Sequence, residues 1–134
     1  MNYNHEECIK ENTRGSVGSV HNDWRLPTIE ELLTLVNYEK RNPACDLEDT
    51  ITSSHYWSST TAVYYTDYAW DVHFYAGYSS DYAKTSNGCV RCVRDGKLGL
   101  EWSKSSEHKL NWGEAFEYAE GLVTETYYKA KDKK

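Results

Sequence analysis

Apolar residues recur at helical spacing early in the chain and alternate with polar residues in its middle. Ile29, Leu32, Leu33 and Val36 fall at intervals of three and four, so a helix here lays one apolar face on a core. Thr28-Ile29-Glu30-Glu31, after Pro27, is a capping box: the Thr28 hydroxyl and the Glu31 carboxylate each satisfy an orphan amide. Asn42-Pro43 predicts the end of this helix, because the residue before a proline leaves the helical region. From Ser53 to Asp95 the period falls to two. His55-Tyr56-Trp57-Ser58 leads into Ala69–Tyr75, where Trp70, Val72 and Phe74 share one side and Asp71, His73 and Tyr75 the other. Gly77-Tyr78 turns the chain, and Cys89–Arg94 is a further strand closed by the turn dipeptide Asp95-Gly96.

Leu98–Trp102 is the expected hairpin partner of Val90–Arg94. Asn111-Trp112-Gly113-Glu114 is a second capping signature, followed by the apolar stripe Ala115, Phe116, Ala119 and Leu122. The order is helix, small antiparallel sheet, hairpin, helix, which is α+β. Before it, residues 1 to about 12 are read as a short helix carrying Cys8 and Ile9, and Gly15–Ser19 as a flexible connection.

A chain of 134 residues is the size of one domain with one real core. Composition changes the picture in one respect. Twelve Tyr and 5 Trp stand against 2 Phe and 1 Met, and tyrosine is the aromatic with a ring to bury and a hydroxyl to keep wet. Such an excess points to aromatic surface of the kind found at binding sites. The net charge of -6 argues against nucleic acid, since phosphate needs a basic face. The one basic run, Lys129, Lys131, Lys133 and Lys134, is read as a solvated tail. No stretch is apolar enough to insert in a membrane or to form a signal-peptide core. The location is left open between the cell interior, display on a cell surface or virus particle, and a chain whose leader was removed.

Cys8, Cys45, Cys89 and Cys92 fit no zinc pattern. On a strand, the offset of Cys89 and Cys92 puts the thiols on opposite faces, where they neither chelate one ion nor pair. A long-range disulfide is left open. Asp71, His73 and Tyr75 on one strand face, with Tyr78, Asp81 and Tyr82, make an aromatic and acidic patch, which Tyr64, Tyr65 and Tyr68 either extend or leave to anchor their own loop. His73 with Asp71 resembles an acid–base pair, but no activated Ser or Cys accompanies it. No catalytic residue, metal or cofactor is expected. Asp23 and Arg25 are expected to pair structurally, and Trp24, Trp57 and Trp70 are expected in the frame or core.

Asp23-Trp24-Arg25-Leu26-Pro27-Thr28, Glu30-Glu31-Leu32, Tyr56-Trp57-Ser58-Ser59-Thr60, Ala69-Trp70, Val72, Phe74, Gly77 and Val90-Arg91-Cys92-Val93-Arg94 resemble the C-terminal domain family of the Lcl collagen-like adhesins. The resemblance covers roughly residues 20 to 95 and implies a C-type-lectin-like fold. Such a domain opens with a Gly-Leu-x-Trp strand and a Trp-x-Glu-Ala helix. Here Gly99-Leu100-Glu101-Trp102 and Trp112-Gly113-Glu114-Ala115 come last, so residues 96 to 122 are read as a circular permutation or as the start of a second repeat or donated element.

The same frame resembles the variable region of proteins diversified by retroelements that mutate adenines. An AAC codon so mutated reaches Tyr, Asp, His, Ser, Thr, Ala, Gly and Cys, but not Lys, Glu, Gln, Met or Trp. Asp71, His73, Tyr75, Ala76, Tyr78, Ser79, Ser80, Asp81, Tyr82, Ala83, Thr85, Gly88 and Cys89 all lie within that set. An adaptable paratope has the same alphabet for physical reasons. The expected function is non-enzymatic recognition of a protein or cell-surface glycan. The alternative is a fixed-specificity adhesin or glycan-binding module, and a homo-oligomer is left open.

Overall fold

The structure, a computed structural model, describes residues 20–125 and 128–129. The short helix read at residues 1 to 12, the connection at 15–19, Cys8 and the lysines beyond 129 lie outside them. The described chain runs through α1 (Ile29–Leu33), β1 (His55–Thr61), β2 (Tyr68–His73), β3 (Tyr78–Ala83), β4 (Arg91–Gly96), β5 (Gly99–Ser105), α2 (Trp112–Gly121) and β6 (Tyr128–Lys129). The strands form two antiparallel sheets, ordered β1-β2-β3 and β4-β5-β6. The architecture is α+β, as the hydrophobic periods predict.

Both helices start where their capping boxes place them. Thr28 Oγ1 accepts from Glu31 N while Glu31 Oε1 accepts from Thr28 N, and Asn111 and Glu114 repeat the exchange at α2. Helix α1 ends well before Asn42-Pro43. The Thr34 hydroxyl donates to the Glu31 carbonyl at 2.6 Å, a local bond that competes with further helix. Val36 then pairs with Cys45 instead of continuing the helix. The loop so formed lies along the β2–β3 turn, with Asn42 N donating to Tyr75 O and Ala44 N to Phe74 O.

The β4–β5 hairpin forms with Val93 opposite Trp102. Its turn is Lys97-Leu98, not Asp95-Gly96: Gly96 still pairs, with Gly99, whose φ of 126° a side chain would strain. Charges brace the frame. Asp23 pairs with Arg94, and Arg25 with Glu31 and Asp95, so the two residues take separate partners instead of each other. Arg91 is 1% exposed and reaches Asp49 Oδ1 at 2.7 Å and Ser103 O at 2.9 Å.

Two cores lie on the two sides of the strands. Ile29, Leu32, Tyr56, Val72, Phe74, Val93 and Trp102 form one; Trp24, Leu26, Trp57, Ala69, Val90, Cys92, Ala115 and Ala119 form the other. Neighbouring residues Tyr56 and Trp57, or Cys92 and Val93, thus fall in different cores, as a period of two dictates. Trp70 packs against the first core. Cys89 belongs to the first core and Cys92 to the second. Cys45, Cys89 and Cys92 are free, buried thiols. Burial pushes the Cys92 thiol up to about 12, with Ser103 and Arg91 acting weakly against it, so it stays protonated and inert.

Candidate ligand-binding face

The β1–β2–β3 sheet decides which side chains meet. His55 lies opposite His73 and Trp57 opposite Asp71; His73 lies opposite Tyr78, Asp71 opposite Ser80 and Ala69 opposite Tyr82. Residues directly opposite point to the same side, so His55, Trp57, Asp71, His73, Tyr78, Ser80 and Tyr82 share one face. The β2–β3 turn is closed by Gly77 N donating to His73 O, with Gly77 at φ 85°.

This face is layered. Asp71 is at its base, with no exposed surface. Its Oδ1 accepts from Ser80 Oγ at 2.6 Å, and its Oδ2 lies 2.7 Å from His55 Nδ1. The latter is an ion-pair contact without the alignment of a hydrogen bond. His55 Nε2 lies 3.0 Å from the Asn87 carbonyl, which can only accept. An oxygen therefore stands against each ring nitrogen of His55, and the His55 ring and the Asp71 carboxyl meet in a buried contact.

His73 is held differently. Ser80 gives its one proton to Asp71, so the 3.1 Å contact between His73 Nε2 and Ser80 Oγ has His73 as donor. Burial lowers the His73 pKa below its ordinary 6.5; Asp71 acts to raise it and His55 to lower it further. Folding therefore favours neutral His73. The associated stability is full above pH 6.5 and is lost as pH falls through the lowered folded value.

The tyrosines form the upper layer. Tyr82 stacks on His55 with centroids 4.4 Å apart, and Tyr78 stacks on His73 at 4.8 Å with planes within 9°. His55 meets the edge of Trp57 at 4.7 Å. Tyr78 is still 54% exposed and Tyr82 39%, so each ring is fixed on one side and open on another.

The structure thus brings together Asp71, His73, Tyr78, Ser80 and Tyr82. It separates others of the expected set. Ser79 and Asp81 lie opposite Val72 and Trp70, which puts them on the other face of β3. Asp71 shares the alternation of His73 yet is sealed under the stack, not presented to solvent. Tyr75 is exposed in the β2–β3 turn, and Thr85 is exposed in the turn after β3. Tyr64 and Tyr65 are exposed in the β1–β2 loop, where Tyr65 and Tyr68 rings lie 6.0 Å apart.

His55 is the residue that sequence reasoning missed. Only the register of β1 against β2 places it beside Asp71, and nothing local to His55-Tyr56-Trp57 announces that. Gly88 serves it: a Cβ there would stand 2.7 Å from His55 Cε1. Gly88→Ala is expected to displace the ring from Asn87 and to cost about 1–3 kcal/mol as overpacking, measured by urea unfolding. Unchanged stability would mean that the ring is not tightly seated.

Among the described residues no group of three or more His, Cys, Asp or Glu is arranged to hold a metal ion, and no helix is long and apolar enough to cross a membrane. No curated protein and no solved structure matches the chain. The model of the Lcl C-terminal domain family matches residues 3–94, a span that contains α1, the whole β1–β2–β3 sheet and the stacked face. The chain belongs to the Lcl C-terminal domain family.

Proposed function

We propose that this is a non-enzymatic recognition domain, a C-type-lectin-like frame whose tyrosine face binds a protein or a cell-surface glycan. The observation that carries this reading is the stacking of exposed Tyr78 on half-buried His73 and of exposed Tyr82 on buried His55. Rings already fixed before contact lose little entropy on binding, which is what aromatic anchors require. Tyr75 in the adjoining turn and Tyr64 and Tyr65 in the β1–β2 loop offer further exposed rings.

The hydrogen-bond directions support a non-enzymatic reading. Ser80 lies between His73 and Asp71 and spends its proton on the carboxylate. No imidazole accepts its proton, as one does in a Ser–His pair. Residues 96–122 are read as the permuted opening strand and helix of the frame. In support, Trp102 completes the first core and Ala115 and Ala119 the second.

The face is further read as one sampled variant of a retroelement-diversified surface. A template copy carrying Asn codons at its positions, near a reverse transcriptase gene, is the genomic check. The main test is joint replacement of Tyr75, Tyr78 and Tyr82 by alanine, which is to abolish capture of the protein or glycan partner without unfolding the domain. A polyanion-binding adhesin is the competing reading, and the net charge of -6 opposes it. The domain is expected to pass unretained through a heparin column at about 0.15 M salt. Retention there, lost on adding salt, would favour the adhesin.

A further inference from the structure

One buried carboxylate serves two imidazoles on this face. Asp71 Oδ2 is against His55 Nδ1 at 2.7 Å, and Asp71 Oδ1 is 3.7 Å from His73 Nε2. Of the two imidazoles His55 is the closer to the carboxylate, and Asn87 O holds its other ring nitrogen in place. His73 is only 16% exposed at its side chain, and its ring centroid is 5.7 Å from that of His55. A proton on His73 would put a charge in a largely covered site, beside the His55 ring and a carboxylate that His55 and Ser80 already engage.

The titratable groups that face His73 are His55 from β1, Asp71 from β2, and Tyr78 and Tyr82 from β3. Only Asp71 among them is an acid of the carboxyl type, and His55 and Ser80 already engage it. We propose that a single proton on His73 switches the tyrosine face between an ordered, stacked state and an opened one. In the neutral state His73 donates to Ser80 and carries Tyr78 on its ring. In the charged state the imidazolium leaves the stack for water, the Ser80 bond breaks, and Tyr78 loses its platform. Tyr82, 5.6 Å from His73 as well as stacked on His55, loses one of its two neighbours. If the face is the binding surface proposed above, on which this regulatory role rests, a partner taken up at neutral pH is released on mild acidification.

The test needs no partner. Ring resonances of His73, Tyr78 and Tyr82 in the whole chain are followed by NMR from pH 7.5 to pH 5. The expected result is that the tyrosine signals move toward unstacked positions in step with His73, with a midpoint below 6.5. His73→Phe keeps an aromatic platform and removes the proton, so its Tyr78 and Tyr82 signals should stay fixed over the same range. The switch is overturned if His73 titrates while the tyrosines stay still, or if the tyrosine shifts persist in His73→Phe. The wild-type titration alone decides the matter should that variant fold poorly. Loss of partner capture in the tyrosine variant together with a still face would remove the switch and leave the binding surface. Retained capture with a moving face would do the reverse.

Discussion

Asp71→Ala is expected to lower the unfolding free energy by about 3–5 kcal/mol, the usual cost of removing one partner of a buried ion pair. Asp71 has no exposed surface, and it holds His55 Nδ1 at 2.7 Å and the Ser80 hydroxyl at 2.6 Å. Its removal leaves the His55 ring without its facing carboxyl in a site covered by Trp57 and Tyr82. The hydroxyl of Ser80 loses its acceptor as well, and a cavity opens beneath the stack. Urea denaturation measures the change as a lower midpoint at nearly constant slope. Exposed Asp67, replaced in the same way, should stay within about 0.5 kcal/mol of wild type. A double-mutant cycle with His55→Phe isolates the pair. A loss below about 1 kcal/mol for Asp71→Ala would show that the carboxylate carries no charge partner, and the layered site would fall with it.

The second large effect is on binding. Tyr75, Tyr78 and Tyr82 are 52%, 54% and 39% exposed, and aromatic anchors of this kind typically cost about 2 kcal/mol or more each when truncated. Their joint replacement by alanine is therefore expected to take capture of a surface protein or glycan below detection. Stability should respond much less. Tyr78 and Tyr82 forfeit their stacks on His73 and His55, at about 0.5–1.5 kcal/mol each, which is a shift of a few degrees in Tm. Leu98→Ala, in the β4–β5 turn and 72% exposed, is the control that should leave capture unchanged. Capture retained by the triple variant would end the proposal for this face, and collapse of its fold would assign these rings to the core.

Fold and face were legible to different depths. The chain itself fixes both helix starts, because a capping box is a local exchange of hydrogen bonds complete within four residues. It also fixes the partition of Trp70, Val72 and Phe74 from Asp71 and His73, because alternation is a property of one strand. The pairing of Val93 with Trp102 follows from a hairpin, where the partner is near in sequence. The end of α1 was not legible: Pro43 marks a stop, but Thr34 and the pairing of Val36 with Cys45 act first.

Tertiary structure alone decided the rest of the face. Alternation sends Ser79 and Asp81 to the face opposite Tyr78 and Tyr82, but only the β2–β3 register puts the tyrosines, and not Ser79 and Asp81, on the side of Asp71 and His73. Asp71 and His73 alternate alike, yet one is sealed and the other half-covered, since burial depends on what the neighbouring strands bring over each. His55 comes from the strand on the far side of β2 and helps make Asp71 a buried acid facing an imidazole instead of a solvent-facing one. Composition and periodicity determined that this protein presents tyrosines on a small sheet. Long-range register determined which of them stand together and what charge lies beneath, because a charge pair is set by three-dimensional distance, which no local pattern encodes.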